Sequence, residues 1–258
     1  MRTNITWLTV LLIASLATSA TAVEFQWDEN PWPGPEAPTG PVYTHTYSNI
    51  GNGSIVVTVD DTNGALVTTG TGALSPDSNV FLDPTGNNGE HSFFVRADGN
   101  SSYVDVFFDF DEMVGGRMSV YDLNFSIYDI DTGAPQWTDR VVVRGLLADG
   151  SGWTAPTNVS LVGADPTVSY SVRGGGSRGR LDGVVGDSPS SGAGSDNGTA
   201  NIFFADEITE LWIRYRNDAA DEGNQWIAIS NLIFAPEPNT FSLLALGLVG
   251  LAALRRNR

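Results

Sequence analysis

Between Ser54 and Phe234 apolar residues recur at every second position through segment after segment, a period that fits β-strands and little else. Tyr103 to Phe110 shows it most plainly. Val104, Val106, Phe108 and Phe110 fall on one side there, while Asp105 and Asp109 fall on the other, as a strand with one buried face requires. The pattern continues at Ser54 to Asp60, His91 to Arg96, Val120 to Ile130, Arg140 to Leu147, Val168 to Val172, Asn201 to Phe204, Ile208 to Arg216 and Gln225 to Phe234. In Ile208 to Arg216, Leu211, Ile213 and Tyr215 oppose Trp212, Arg214 and Arg216. Gly, Pro, Asn and Asp punctuate these runs, and no stretch inside the domain sustains a helical period. Residues 42–235 are therefore expected to form an all-β domain, an antiparallel β-sandwich or jelly roll. Gly174 to Thr199 breaks the rhythm. Rich in Gly, Ser and Asp, it is expected to be a long surface loop.

The two ends of the chain have a different character. Arg2, the apolar run Trp7 to Leu16 and Ala20-Thr21-Ala22 have the layout of a secretory signal peptide over residues 1–22, with signal peptidase cutting after Ala22. Residues 23–41 form a lead into the domain, and its stretch Asn30 to Pro41 holds five prolines, which favours an extended linker. At the other end, Pro236-Glu237-Pro238 precedes an uncharged run from Phe241 to Leu254 and then Arg255-Arg256-Asn257-Arg258. As a helix, that run would reach only about 21 Å at roughly 1.5 Å per residue, against a hydrocarbon core of about 30 Å. A membrane helix over 241–254 with its arginines on the cytoplasmic side fits better than a core element, because a clustered basic end is the usual flank of a membrane segment.

Triplet, apolar span and basic end together resemble the PEP-CTERM sorting signal of exopolysaccharide-producing Gram-negative bacteria. The resemblance rests on residues 236–258, under a tenth of the chain. It implies that Pro236, Glu237, Pro238, Arg255, Arg256 and Arg258 belong to a handle for an exosortase, a membrane cysteine protease that cuts near the triplet. It further implies an exported protein, first a precursor anchored in the inner membrane and then a cell-surface or extracellular product. About the chemistry of the domain it implies nothing.

Charge sets limits on partners. The chain has 30 acidic residues, 13 basic residues and no cysteine, and every basic residue is arginine. Without the two processed ends, 29 acids face 9 arginines, a net charge near −20. Such a surface repels nucleic acid and attracts divalent cations. With no disulfide available, stability must come from an ordinary hydrophobic core.

Catalytic chemistry is poorly represented. Only His45 and His91 could serve as a histidine base, and neither a nucleophile elbow nor a zinc motif occurs. Asp109, Asp111 and Glu112 supply carboxylates, but without the spaced acid pattern of jelly-roll glucanases, so no enzyme is expected. Asp129, Asp131 and Asp139 surround one strand connection and are candidate calcium ligands, solvated turn aspartates being the alternative. Trp137 and Trp153 flank the strand at Arg140 and are candidate platforms for sugar rings, with a place in the core as the alternative. Two functions fit these residues: a non-enzymatic structural or adhesive protein of the biofilm or exopolysaccharide matrix, and a carbohydrate-binding module, calcium-dependent or not.

Overall fold

A computed structural model describes residues 22–27, 29–30, 41–50, 53–65, 76–77, 92–97, 103–110, 119–133, 137–163, 166–184, 197–217 and 225–236. The strands are β1 (Val23–Phe25), β2 (Val42–Ile50), β3 (Gly53–Asp60), β4 (Pro76–Asp77), β5 (Ser92–Ala97), β6 (Tyr103–Asp109), β7 (Val120–Tyr128), β8 (Thr132–Gly133) and β9 (Trp137–Leu147). They continue as β10 (Trp153–Thr154), β11 (Asn158–Leu161), β12 (Val168–Arg173), β13 (Arg178–Gly183), β14 (Ala200–Phe204), β15 (Ile208–Asn217), β16 (Gln225–Ile229) and β17 (Leu232–Pro236). Helical structure among the described residues is confined to one 3-10 turn at Gly174–Gly176.

Every ladder is antiparallel, and the ladders define a two-layer sandwich. One layer runs β2-β3-β6-β15-β9-β13-β12, with β10 added at the far end of β9. The other is centred on β7. β14 and then β11 lie on one flank of it. The opposite flank is split: β16, β5 and β4 follow the C-terminal end of β7, whereas β17 and β1 follow its N-terminal part. Ile208 paired with Val120 joins the layers at one corner.

Strand parity fills the space between the layers. Val104, Val106 and Phe108 of β6, Leu211, Ile213 and Tyr215 of β15, and Val141 and Val143 of β9 point inward. Opposite them stand Phe93 and Val95 of β5, Leu123 and Ile127 of β7, Ile227 and Ile229 of β16, and Phe234 of β17. Trp27 is completely buried, stacks on Phe93 with ring centroids 4.6 Å apart, and donates its indole N–H to the Ser230 carbonyl at 3.1 Å. An aromatic side chain buried this way contributes about 1.5–3 kcal/mol, and its polar edge is satisfied rather than stranded.

Two differences from the sequence reading have physical causes. The strand body begins at Val23, ahead of the proline-rich stretch, because Val23–Phe25 completes the edge beside Leu232–Phe234 and carries Phe25 and Trp27 into the core. Gly174 to Thr199 is not one long loop. Gly174–Gly176 make a tight turn, with φ of 62°, 66° and 101°, and Arg178–Gly183 then form β13 between β12 and β9. The low apolar content of β13 misled because its inward positions are glycines beside Leu181. A Cβ on Gly179 would lie 2.8 Å from the Tyr170 ring and 2.9 Å from Pro156, and one on Gly183 would overlap the backbone of Asp131. Close approach, not a disordered excursion, explains these glycines. Residues 185–196 lie outside the described part. So do residues 1–21 and the span Phe241 to Leu254; among the described residues no helix is long and apolar enough to cross a membrane.

Candidate functional site

The outward face of the layer β2-β3-β6-β15-β9-β13-β12 is where the arginines collect. Parity places Arg214 and Arg216 of β15, Arg140 and Arg144 of β9, Arg178 and Arg180 of β13 and Arg173 of β12 on it. These are seven of the nine arginines between Val23 and Ala235. The same face carries five acids, Asp60, Asp105, Asp109, Asp182 and Glu210. A domain with a net charge near −20 thus turns one locally positive side outward.

Aromatic rings and guanidinium groups interleave across this face. The Arg144 Cζ lies 4.0 Å from the Trp153 ring centroid and 3.8 Å from that of Trp212. Arg214 Cζ sits 4.8 Å from the other side of the row at Trp212 and 3.6 Å from Tyr103. Register explains the row: Trp212 pairs with Arg144 on one side and Phe107 on the other, and Trp153 pairs with Leu146 one pleat further along β9. Each guanidinium over a ring face is stabilised by the ring quadrupole, by about 0.5–1 kcal/mol at exposed sites.

The charges in this row are not equally satisfied. Arg214 makes a bidentate pair with Asp105, both contacts 2.7 Å, and that hydrogen-bonded carboxylate holds the guanidinium above its usual range. Asp182 accepts from Arg140 at 2.7 Å and from Arg180 at 2.6 and 2.7 Å. Arg144 differs. It has no carboxylate within ion-pair distance among the described residues, and its Nε is buried without a hydrogen-bond acceptor. Burial first, and then the neighbouring Arg214, push it below the usual arginine range, with Asp105 and Glu210 pulling the other way. Partly buried, stacked and with no acceptor for its Nε among the described residues, this guanidinium can take an anion.

The tryptophans expected to act together do not meet. Trp137 opens β9 opposite Gly133, nine positions from Leu146, the partner of Trp153, so the two are about 30 Å apart along the strand. The Trp137 side chain lies outside the described residues. Trp212 takes its place beside Trp153, with centroids 6.4 Å apart, although only 4% exposed. Strand parity in the sequence puts Trp212, Arg214 and Arg216 on one side of a strand but gives them no role, and it does not single out Arg144. The signal was available in the alternation Trp212, Arg214, Arg216, but strand neighbours are needed to see which rings the cations cover.

Asp129, Asp131 and Asp139 do come together, in a buried corner where β7 passes into β8 and β9. Asp129 adopts φ of 65°, which turns the chain; the Ile130 N–H donates to the Gly198 carbonyl at 2.9 Å and the Asp139 N–H to the Asp131 carbonyl at 2.9 Å. The Asp139 carboxyl is fully buried and accepts the Tyr215 hydroxyl at 2.7 Å and the Asp131 N–H at 3.2 Å. Burial drives its pKa well above the ordinary carboxyl value, the two hydrogen bonds oppose this, and Asp131 and Asp129 add to it. Its oxygens face protein donors. Among the described residues no three His, Cys, Asp or Glu side chains converge as a cation requires.

Asp109 and Glu210 are direct cross-strand partners on the arginine-rich face, and burial, then the Asp109 charge, raises the Glu210 carboxyl. The two stand side by side on one pleated surface rather than across a cleft. His45 is half-buried beside Tyr47, with centroids 4.5 Å apart. His91, Asp111 and Glu112 lie outside the described residues.

The domain runs directly into its tail. β17 ends at Pro236, whose backbone pairs with Val120, and β1 lies against the other side of β17, so Val23 and the first residue of the triplet stand on adjacent strands. Glu237, Pro238 and the terminal arginines lie beyond the described residues. Residues 235–257 match the family model of the PEP-CTERM protein-sorting motif. An all-β sandwich carrying such a motif is an exosortase-sorted, exported protein, made as a membrane-anchored precursor. No curated protein matches the chain.

Proposed function

We propose that the exported domain is a non-enzymatic protein of the cell surface or extracellular matrix that adheres by binding acidic polysaccharide on its arginine-rich face. The observation that carries this reading is Arg144, held between Trp153 and Trp212 with no carboxylate partner among the described residues. A uronate ring offers a carboxylate to that guanidinium and an apolar C–H face to the partly exposed Trp153 ring beside it, while Trp212, 4% exposed, backs the guanidinium. Arg140, Arg178 and Arg180 extend the positive strip along β9 and β13, as a polymer with repeated charges requires. A glycosidase is disfavoured by the side-by-side placement of Asp109 and Glu210, because hydrolysis needs carboxyls on opposite sides of the scissile bond. Exosortase and signal peptidase are partners in processing only.

Affinity electrophoresis of the processed protein through gels containing alginate, a polyuronate, tests the reading. Retardation that fades at about 0.5 M salt, where screening acts within a few ångströms, is the expected result. Migration identical with and without alginate would refute it.

A further inference from the structure

The opposite outer face, on the layer built around β7, has a depression of different chemistry. Its cause is the split flank of β7. β16 pairs with Ile127 and Tyr128, β17 pairs with Tyr121 and Asn124, and Ser230 and Asn231 turn between them, so Ser126 has no strand residue directly opposite on that side. The turn substitutes for a partner: the Ser126 N–H donates to the Ser230 Oγ at 2.7 Å, and the Ser230 N–H returns to the Ser126 carbonyl at 3.0 Å. A groove of about 390 Å³ remains, within the size range of small-molecule sites, about 300–1,000 Å³.

The groove is lined by amides, hydroxyls and one carboxylate together with Phe125, Ile202 and Ile233, and by no arginine. Asn201 lines the groove and accepts the Ser126 hydroxyl on its Oδ1 at 2.7 Å, and no described residue engages its amide nitrogen. Asn124 donates to the Asp122 carbonyl at 2.9 Å, and its Oδ1 has no donor among the described residues. Glu24 stands at the rim, 3.4 Å from the Asn231 amide nitrogen, and Ile233 gives an apolar wall that is 43% exposed. Donors, acceptors and an apolar patch alternate within one concavity.

We propose that this groove is a second saccharide site, which takes an uncharged, hydroxyl-rich glycan segment of about one or two rings. Paired ring hydroxyls both donate and accept, so they match Asn201 N–H groups beside the Asn124 oxygen and the Glu24 carboxylate, while the C–H face of a pyranose packs on Ile233. Glu24 and the missing arginines select against uronates, the reverse of the arginine-rich face. With one site on each outer face, the domain bridges two chemically distinct polysaccharides, and each site stands or falls independently of the other.

The test uses the processed protein in affinity gels containing dextran, a soluble β-glucan or galactomannan, with alginate alongside. Retardation by at least one neutral polymer, unchanged at about 0.5 M salt, is expected, because neutral contacts are not screened. Asn201→Asp retains the acceptor for Ser126 and removes both donors; it should weaken neutral binding about tenfold, roughly 1.4 kcal/mol, with alginate retardation preserved. Ile233→Asp, at an exposed position, is the second variant and should do the same. Absence of retardation in all three neutral gels, or neutral binding unaltered in both variants, overturns the proposal. Alginate retardation without neutral retardation defeats this site alone; the converse defeats the arginine-rich face alone.

Discussion

Asp139 and Arg144 lie five residues apart on β9, and parity puts them on opposite sides of the sheet. Inward, Asp139 meets Tyr215 and the Asp131 backbone, and each of its carboxyl oxygens accepts a hydrogen bond from within the fold. Outward, Arg144 meets two indole rings and retains unused N–H donors. Similar charge density along the sequence therefore yields a structural plug on one side and a recognition surface on the other. Which one results depends on whether neighbouring strands supply matching polar groups or only aromatic faces.

The largest effect should come from breaking the inward side. Asp139→Ala removes the acceptor of the buried Tyr215 hydroxyl and of the Asp131 N–H, each loss costing about 1–3 kcal/mol, so chemical denaturation should show a loss of about 3 kcal/mol. Gly183→Ala, which drives a Cβ into the Asp131 backbone, should cost about 1–3 kcal/mol by overpacking. If either variant unfolds at the wild-type denaturant concentration, the corner is not the plug described.

Protonation sharpens the same contrast. The folded Asp139 carboxyl binds its proton up to a higher pH than the unfolded one, whose pKa is about 3.9, so the native state holds more protons across that interval. Its contribution to stability is complete below about pH 4 and is lost as pH rises toward the folded value. Asp139→Asn keeps an acceptor for Tyr215 and cannot ionise; it should flatten this part of the stability profile, and an unchanged slope would assign it to other groups. Asp182 runs the opposite way. Burial raises its carboxyl, but the hydrogen bonds from Arg180 and Arg140 dominate and lower it, so its contribution is present above about pH 4 and fades on acidification.

On the outward side the effect on folding should be small. Arg144→Ala loses two cation–π contacts and should cost at most about 1–2 kcal/mol of stability. The smallest effect is expected for calcium, since the Asp139 oxygens already face protein donors. The melting temperature should stay the same in millimolar calcium or chelator, and a rise with calcium would return Asp129, Asp131 and Asp139 to the role of ligands.

Much of the fold was legible in the sequence because a half-buried strand writes its period directly: Val104, Val106 and Phe108 point inward as their spacing says. The strand Arg178–Gly183 was not legible, since Gly179 and Gly183 face inward at places where neighbouring chain leaves no room for a side chain, and glycine carries no hydrophobic period. The sorting tail could be read because its signal is linear. The face around Arg144 could not, because Trp153, Arg144, Trp212 and Tyr103 come from four strands and become neighbours only through register. The three aspartates were seen to gather, but their spacing could not say whether their oxygens would point toward a cation or toward Tyr215.

The most direct test is calorimetric titration of the processed protein and its Arg144→Gln variant with a uronate oligosaccharide at low salt. Gln keeps much of the side-chain length and removes the charge, so binding should weaken about tenfold or more, roughly 1.4 kcal/mol, with a stability loss no larger than that of Arg144→Ala. Equal affinity in the two proteins, or no heat of binding to the unaltered protein, would contradict an arginine-rich face built to hold an acidic polysaccharide.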